Sequence, residues 1–228
     1  MATYVLSDVH GMANKLKCML DKISFSKDDK LYILGDIFDR GPNPLGVLNI
    51  VLKNRNIELL MGNHEKFFLD YFINNDKRLW LYNGGATTLF QIEEMKKKNK
   101  DFEKQLYDYI SSLKTLVVLD EDFMLTHAAI YLPKNCNDYD INQIVDMQTS
   151  DYNLWSRDNI LKERKYKNYK IIVGHTPVQT IVKDMTKILV SNNTFYIDCG
   201  AVFGGKLACL RLDDMKRFYV WNIVYHIH

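Results

Sequence analysis

The chain has 228 residues, a formal net charge of +2, 47% hydrophobic and 25% charged residues. That length can bury a sizeable core, and the near-neutral charge gives no reason to expect a nucleic-acid or membrane partner. Cys18, Cys136, Cys199 and Cys209 are scattered with no C-x-x-C pair, which reads as reduced thiols. No stretch approaches the roughly 18 apolar residues of a membrane helix, and the opening MATYVLSDVHG lacks the basic segment of a secretory signal. A cytoplasmic location is the expectation.

The first third alternates in type. Thr3 to Leu6 reads as a strand, and Asn14 to Ile23 has helical spacing through Leu16, Met19, Leu20 and Ile23. A strand at Leu31–Leu34, a helix from Pro44 to Leu52, a strand at Ile57–Leu60 and a helix from Glu65 to Ile73 follow. Short connections between alternating types predict parallel βαβ units with helices over the sheet. Residues 74–113 read as helical, with Gly84-Gly85 and a charged run from Lys96 to Asp101. Strands are predicted at Thr115–Leu119 and Phe123–Thr126 about a turn at Glu121, then at Ile171–Val173. Further strands fall at Ile188–Val190, Phe195–Ile197, Lys206–Leu212 and Arg217–Val224, while 131–170 reads as irregular to helical. The expectation is a single α/β domain over 1–228, with insertions at about 74–113 and 131–170.

The chemistry collects where the strands end. Leu6 leads into Asp8 and His10, Leu34 into Asp36, and Met61 into Asn63 and His64. Leu125 leads into His127, and Val173 into His175. Ligand sites in open α/β sheets form outside the carboxyl ends of the strands. Singly, Asp8 reads as a turn former, Asn63 as a turn residue, and His127 or His175 as a hydrogen-bonded core histidine. Five such coincidences at successive strand ends outweigh those readings. His226 and His228 stand outside the pattern as exposed terminal residues. The nitrogen and oxygen donors, with no interleaved cysteine, suit Mn, Fe, Zn or Ni over a structural thiolate zinc.

In order, D-V-H at 8–10, G-D-I-F-D-R-G at 35–41, G-N-H-E at 62–65, H-A at 127–128 and G-H-T at 174–176 resemble the calcineurin-like metallophosphoesterases. The likeness is to compact bacterial and phage serine/threonine phosphatases, and the stretch from Tyr196 to Gly205 shares it. The resemblance implies a central β-sandwich of mixed sheets flanked by helices, in four layers. It implies two divalent ions, Mn2+ foremost and Fe, Zn or Ni otherwise. Asp8, His10 and Asp36 would hold one, and Asp36, Asn63, His127 and His175 the other, with Asp36 bridging. Two such ions, roughly 3.5–4 Å apart, activate a shared water and clamp a phosphate for in-line displacement. His64 resembles the general acid, Asp39 the carboxylate that orients it, and Arg40 a phosphate clamp. Leu154-Trp155-Ser156-Arg157 resembles the segment that supplies a second clamp, Arg157.

The implied activity is a metal-dependent phosphomonoesterase, a serine/threonine protein phosphatase acting on phosphorylated proteins or small phosphoesters. The alternative is symmetrical hydrolysis of dinucleoside tetraphosphates. Those enzymes typically have A-R-G, G-N-H-D and G-H-W where this chain has Asp39-Arg40-Gly41, Gly62-Asn63-His64-Glu65 and Gly174-His175-Thr176. A non-catalytic metal-binding scaffold is a remote third reading, since no expected ligand, acid or arginine is missing. One departure stands out: His127-Ala128-Ala129 replaces the family's usual H-A-G. Glu65 reads as a residue that favours the start of its helix through the dipole. Lys96 to Lys100 reads as a solvated helix end.

Overall fold

The structure, a computed structural model, describes residues 1–158 and 160–221. The strand predicted to reach Val224 is thus described only to Trp221, and its residues 222–224, with His226 and His228, lie outside the described residues. In chain order the first half comprises β1 (Thr3–Leu6), α1 (Ala13–Lys22), β2 (Lys30–Ile33), α2 (Pro44–Lys53), β3 (Ile57–Leu59) and α3 (Asn63–Asn74). Next come α4 (Arg78–Tyr82), α5 (Ala86–Lys98) and α6 (Phe102–Ser111), then the hairpin β4 (Leu116–Leu119) and β5 (Phe123–Thr126). The remainder is α7 (Ile141–Asp146), α8 (Ser150–Trp155), β6 (Lys170–Val173), α9 (Val178–Ile181), β7 (Leu189–Ser191), β8 (Thr194–Tyr196), β9 (Leu207–Arg211) and β10 (Arg217–Val220).

The strands form two mixed sheets, ordered β10-β9-β1-β2-β3 and β4-β5-β6-β8-β7. β1, β2 and β3 run parallel, with Tyr4 opposite Leu31 and Leu31 opposite Ile57. In the second sheet β5, β6 and β8 run parallel, with Met124 opposite Ile171 and Ile172 opposite Phe195. Strand period two splits the side chains between two cores. Tyr4, Leu6, Leu31, Ile33, Ile57 and Leu59 pack with Leu16 and Met19 of α1 and Val47 of α2. Val5, Tyr32, Leu34 and Leu60 pack instead with Leu125, Ile172 and Phe195 of the second sheet. Because both faces of the first sheet are covered, its central strands are continuous apolar runs. This is the layered arrangement of mixed sheets and helices that the family resemblance implies.

Local signals place the helices. Pro44 opens α2 with its fixed φ, and the Asn43 side chain accepts from Gly46 N at 2.9 Å. α7 carries a capping box between Asp140 and Gln143. α3 begins two residues before its predicted start, so Asn63 and His64 sit in its first turn. The helical stretch 74–113 holds α4, α5 and α6, where Trp80, Thr88, Ile92, Leu106 and Ile110 are buried. Lys96 of the basic run pairs with Glu93 at 3.1 Å and Glu103 at 2.7 Å, as a solvated helix end does. No helix among the described residues is long and apolar enough to cross a membrane.

Candidate active site

The carboxyl ends of β1, β2 and β3 meet those of β5 and β6, and the loops that follow interlock across the two sheets. His127 Nδ1 donates to Leu34 O at 2.6 Å, and His175 N donates to Asp8 Oδ2 at 3.0 Å. The approach is close. A Cβ on Gly174 would lie 2.2 Å from Asp8 Oδ2, and one on Gly35 would lie 2.4 Å from Gly62. Asp8, His10, Asp36, Asp39, Arg40 and His175 all adopt left-handed backbone, with φ between 43° and 68°. For residues with a Cβ each such conformation costs about 1 kcal/mol or more. Strain concentrated on these six turns each chain end sharply and leaves the side chains converging.

Asp36 lies at the centre. Its Oδ2 is 3.6 Å from His10 Nε2, while its Oδ1 is 3.5 Å from His127 Nε2. The two oxygens of one carboxylate thus serve two different sets of nitrogen donors. On the His127 side, Asn63 Oδ1 stands 2.9 Å from both His127 Nε2 and His175 Nδ1, which are 3.1 Å apart. On the His10 side, His10 Nδ1 donates to Phe38 O at 2.7 Å. Among the described residues, two groups have ligand atoms within 4.8 Å of one another: His10, Asp36 and His64, and Asp36, His127 and His175. The first group includes His64 where the resemblance places Asp8. Asp8 Oδ2 is engaged by the Ser7 hydroxyl and by His175 N.

The donor set fits divalent cations. With Nδ1–H committed to a carbonyl, His127 and His10 each present a bare lone pair at Nε2. His127 Nε2 faces Asn63 Oδ1, an acceptor unless its amide is reversed, so these atoms repel unless a cation lies between them. Burial, helped by the charge of His64, holds the His10 imidazole well below its usual range, and burial likewise lowers His127. Burial brings His175 down to about 2, with contributions from His127 and Arg157. Neutral imidazole is the metal-binding form. Burial and the neighbouring Asp8 push the Asp36 carboxyl far up. A buried carboxylate in that position needs a positive partner.

His64 and Asp39 form a separate buried pair, with His64 Nδ1 2.6 Å from Asp39 Oδ2. Trp80 Nε1 donates to Asp39 at 2.8 and 3.0 Å, and Thr88 Oγ1 donates to Oδ1 at 2.6 Å. Burial raises the Asp39 carboxyl to about 7, against the pull of these hydrogen bonds and of Arg40. Burial, then Arg40 and His127, push His64 well below its usual range. His64 Nε2 is buried, has no hydrogen-bond partner among the described residues and lies 3.9 Å from Asp36 Oδ2.

The two arginines differ in placement. Arg40 is exposed, its NH1 donates to His10 Nε2 at 2.6 Å, and its guanidinium lies 5.3 Å from the Phe203 ring centroid. Arg157, also exposed, follows α8, and its charge lowers both His127 and His175. Just before it, Trp155 packs edge-on against Phe67 at 5.1 Å and His175 at 6.5 Å. All ten expected residues therefore fall at one junction of the sheets.

Several participants lacked a clear sequence signal. Glu65 does more than favour a helix start: it is fully buried. Its Oε2 accepts from Asp36 N at 2.7 Å and Gly62 N at 2.9 Å, and its Oε1 from Ile37 N at 3.0 Å and Phe38 N at 3.3 Å. Trp80 and Thr88 come from a stretch read only as an insertion. Asp198, two residues beyond β8, is buried close enough to Asp8 that burial and Asp8's charge both raise it.

Residues 1–213 match the family model of calcineurin-like phosphoesterases. The chain is 28% identical over 222 residues to serine/threonine-protein phosphatase 1 of Salmonella typhimurium, covering 92% of this chain and 91% of that protein. It is 26% identical over 244 residues to the asymmetrical bis(5'-nucleosyl)-tetraphosphatase PrpE of Bacillus mycoides, covering 95% and 92%. A protein serine/threonine phosphatase of Saccharomyces cerevisiae superposes with a TM-score of 0.62 at 15% identity, covering 99% of this chain and 81% of that one. With the family's sequence pattern spanning both sheets and its buried His/Asp cluster assembled between them, this chain belongs to the calcineurin-like phosphoesterase family.

Proposed function

We propose that the chain is a metal-dependent serine/threonine protein phosphatase using two divalent ions, manganese foremost. The observation that carries this reading is the buried Asp39–His64 pair with Arg40 beside it. Asp39 is the residue at which the symmetrical dinucleotide hydrolases typically differ. Asp8, His10 and Asp36 would hold one ion, and Asp36, Asn63, His127 and His175 the other. When bound, the pair supplies an activated water and charge neutralisation at the phosphoryl group.

The chain's own residues supply the rest. Asp39 accepts from His64 Nδ1 and stabilises the charged imidazole, so Nε2–H can be delivered to the departing alkoxide oxygen. Trp80 and Thr88 keep Asp39 aimed at that ring. Arg40 and Arg157 approach the cluster from its two histidine groups, and each planar fork matches two phosphoryl oxygens. Arg40 now meets His10 Nε2; were His10 to hold an ion, that guanidinium would give up this contact and offer its donors to phosphate. Glu65 fixes the loop that carries Asp36, Asp39 and Arg40.

Dinucleoside tetraphosphate hydrolysis is the second reading, favoured by the nearly full-length similarity to the Bacillus enzyme. The test is side-by-side kcat/KM on a phosphothreonine peptide, 4-nitrophenyl phosphate and diadenosine tetraphosphate, with products resolved. Phosphopeptide turnover well above dinucleotide turnover supports the proposal. Dominant dinucleotide cleavage overturns it, and two diphosphates against a mono- and a triphosphate would distinguish symmetrical from asymmetrical cutting.

A further inference from the structure

Arg40 is exposed, yet its neighbours define its course. Its backbone N donates to Gly84 O at 3.0 Å, and its stem runs so close to Gly84 that a Cβ there would stand 2.8 Å from Arg40 Cγ. Its guanidinium lies over the Phe203 ring, 5.3 Å from the centroid, within the range of a cation–π contact. The contact of NH1 with His10 Nε2 is the one that an ion on His10 would take away. Phe203 is the neighbour that would still hold the guanidinium.

Phe203 is 63% exposed. A lone exposed phenylalanine needs no explanation, but the fastening of its loop does. Gly200 and Gly204 adopt left-handed backbone, with φ of 68° and 84°, and Phe203 N and Gly205 N both donate to Gly200 O at 2.9 Å. Lys15 reaches the loop from α1, only 4% exposed, and its Nζ donates to Ala201 O at 2.6 Å and Gly205 O at 3.0 Å. From α9, Gln179 Nε2 donates to Cys199 O at 2.8 Å. Burying an ammonium costs hydration and rotamer freedom. Here that ammonium is committed to two carbonyls, one on each side of Phe203. The ring is thus presented to Arg40 by a stiff loop.

We propose that Phe203 is a positioning residue for the phosphate clamp, its ring carrying the Arg40 guanidinium in place for phosphoryl oxygens. The inference deepens the phosphoesterase reading and rests on it through the role given to Arg40. A long exposed side chain loses rotamer freedom when it grips a ligand, and a ring that restricts it beforehand lowers that cost. A guanidinium lying over a ring also keeps its in-plane donors free for oxygen acceptors.

The experiment uses the whole chain loaded with Mn2+ and takes inorganic phosphate as the probe. Calorimetric titration gives the phosphate Kd, and steady-state kinetics on 4-nitrophenyl phosphate and a phosphothreonine peptide give KM and kcat. Wild type is compared with Phe203→Leu, Phe203→Trp, Arg40→Ala and the variant combining Arg40→Ala with Phe203→Leu. Leucine keeps the apolar bulk but has no ring face. Phe203→Leu should raise the phosphate Kd and the KM for both substrates by about two- to fivefold, the scale of an exposed cation–π contact, with kcat little changed. Phe203→Trp should bind phosphate at least as well as wild type. In the Arg40→Ala background Phe203→Leu should change nothing further, because the group it acts through is gone. Equal phosphate affinity in wild type and Phe203→Leu would overturn the positioning role. So would the same loss with and without Arg40, or a loss confined to the peptide, which would make the ring a peptide contact. A wild type that neither binds phosphate nor turns over 4-nitrophenyl phosphate would overturn the phosphoesterase reading, and this inference with it.

Discussion

His64 and Asp39 share a hydrogen bond of 2.6 Å in which neither side chain touches solvent. The carboxylate receives three side-chain donors, from His64, Trp80 and Thr88, while His64 Nε2 is left directed toward Asp36. One end of the ring is fixed, and the other is available for chemistry. With Nδ1 committed to Asp39, Nε2 is the ring position left free, bearing a proton when the ring is charged and a bare lone pair when it is neutral.

His64→Asn should lower kcat on phosphoserine and phosphothreonine substrates by roughly 10²–10⁴-fold, the usual range for a lost general acid. Nitrophenolate leaves with little protonation, so 4-nitrophenyl phosphate should lose much less. Steady-state kinetics on both substrates, with metal content measured by mass spectrometry, checks this. Equal losses on both would assign His64 to metal binding or to folding.

Trp80→Phe and Thr88→Val each remove one donor from Asp39 without touching the histidine cluster. Each should reduce kcat on a phosphopeptide by roughly tenfold, in keeping with about 1.5 kcal/mol for a hydrogen bond to a charged group. KM should hold, since neither side chain reaches the clamps, and nitrophenyl phosphate should again be spared. A change confined to KM would place these residues in substrate binding.

How far the site was legible follows from the same residues. Asp8, His10, Asp36, Asn63, His127 and His175 could be read because each directly follows an apolar strand, and parallel strands bring such ends together. Trp80 and Thr88 could not. They lie 41 and 49 residues from Asp39, on helices whose periodicity announces a buried face and nothing more. Glu65 had a sufficient local explanation as a residue of the first helical turn, and that concealed its longer reach to the backbone of Asp36, Ile37 and Phe38. The strand positions were legible because strand lengths and turns are local, while the two-sheet layout was implied by the family resemblance alone. How the sheets face each other depends on which alternate residues meet, as Val5 meets Leu125 and Ile172 in the second core.

Glu65→Ala strips acceptors from four backbone N–H groups at once, in a place water does not reach. The expected cost is about 3 kcal/mol or more, larger than for most single substitutions. Urea unfolding should show a lower midpoint with an unchanged slope, and activity should fall because Asp36, Asp39 and Arg40 share the released loop. Glu65→Gln keeps an acceptor and should cost less. If Glu65→Ala behaves like an ordinary helix-start substitution, within about 1 kcal/mol, the clamp role fails.

The cysteines should divide by burial. Burial, with Asp198 nearby, pushes the Cys199 thiol up to about 12, and burial raises Cys209 as well. Cys136 is also buried, while Cys18 is partly exposed. The thiolate is the reactive form, so a thiol reagent at pH 8 should modify Cys18 in the native protein and all four in denaturant. Peptide mapping of the labelled sites checks this, and rapid native labelling of Cys199 would contradict its packing.

Metal removal should weaken the fold as well as the activity. Asp8, Asp36 and Asp198 are buried together, and Arg40 and Arg157, whose charges act on the cluster, sit on exposed side chains. Cations held by the folded cluster and not by the unfolded chain stabilise by mass action, about 2.7 kcal/mol at a hundredfold excess over Kd. For a chain of this size that corresponds to a rise of roughly 5–10 °C in Tm. Chelated protein should therefore melt lower, and titrating Mn2+ should restore both Tm and turnover over one concentration range. Asp36→Asn should abolish the metal-dependent part of the Tm shift, because its two oxygens face both histidine groups at 3.5–3.6 Å. A Tm indifferent to Mn2+, Fe2+, Zn2+ and Ni2+ alike would mean that the cluster holds no metal, and the dimetal reading would fall with it.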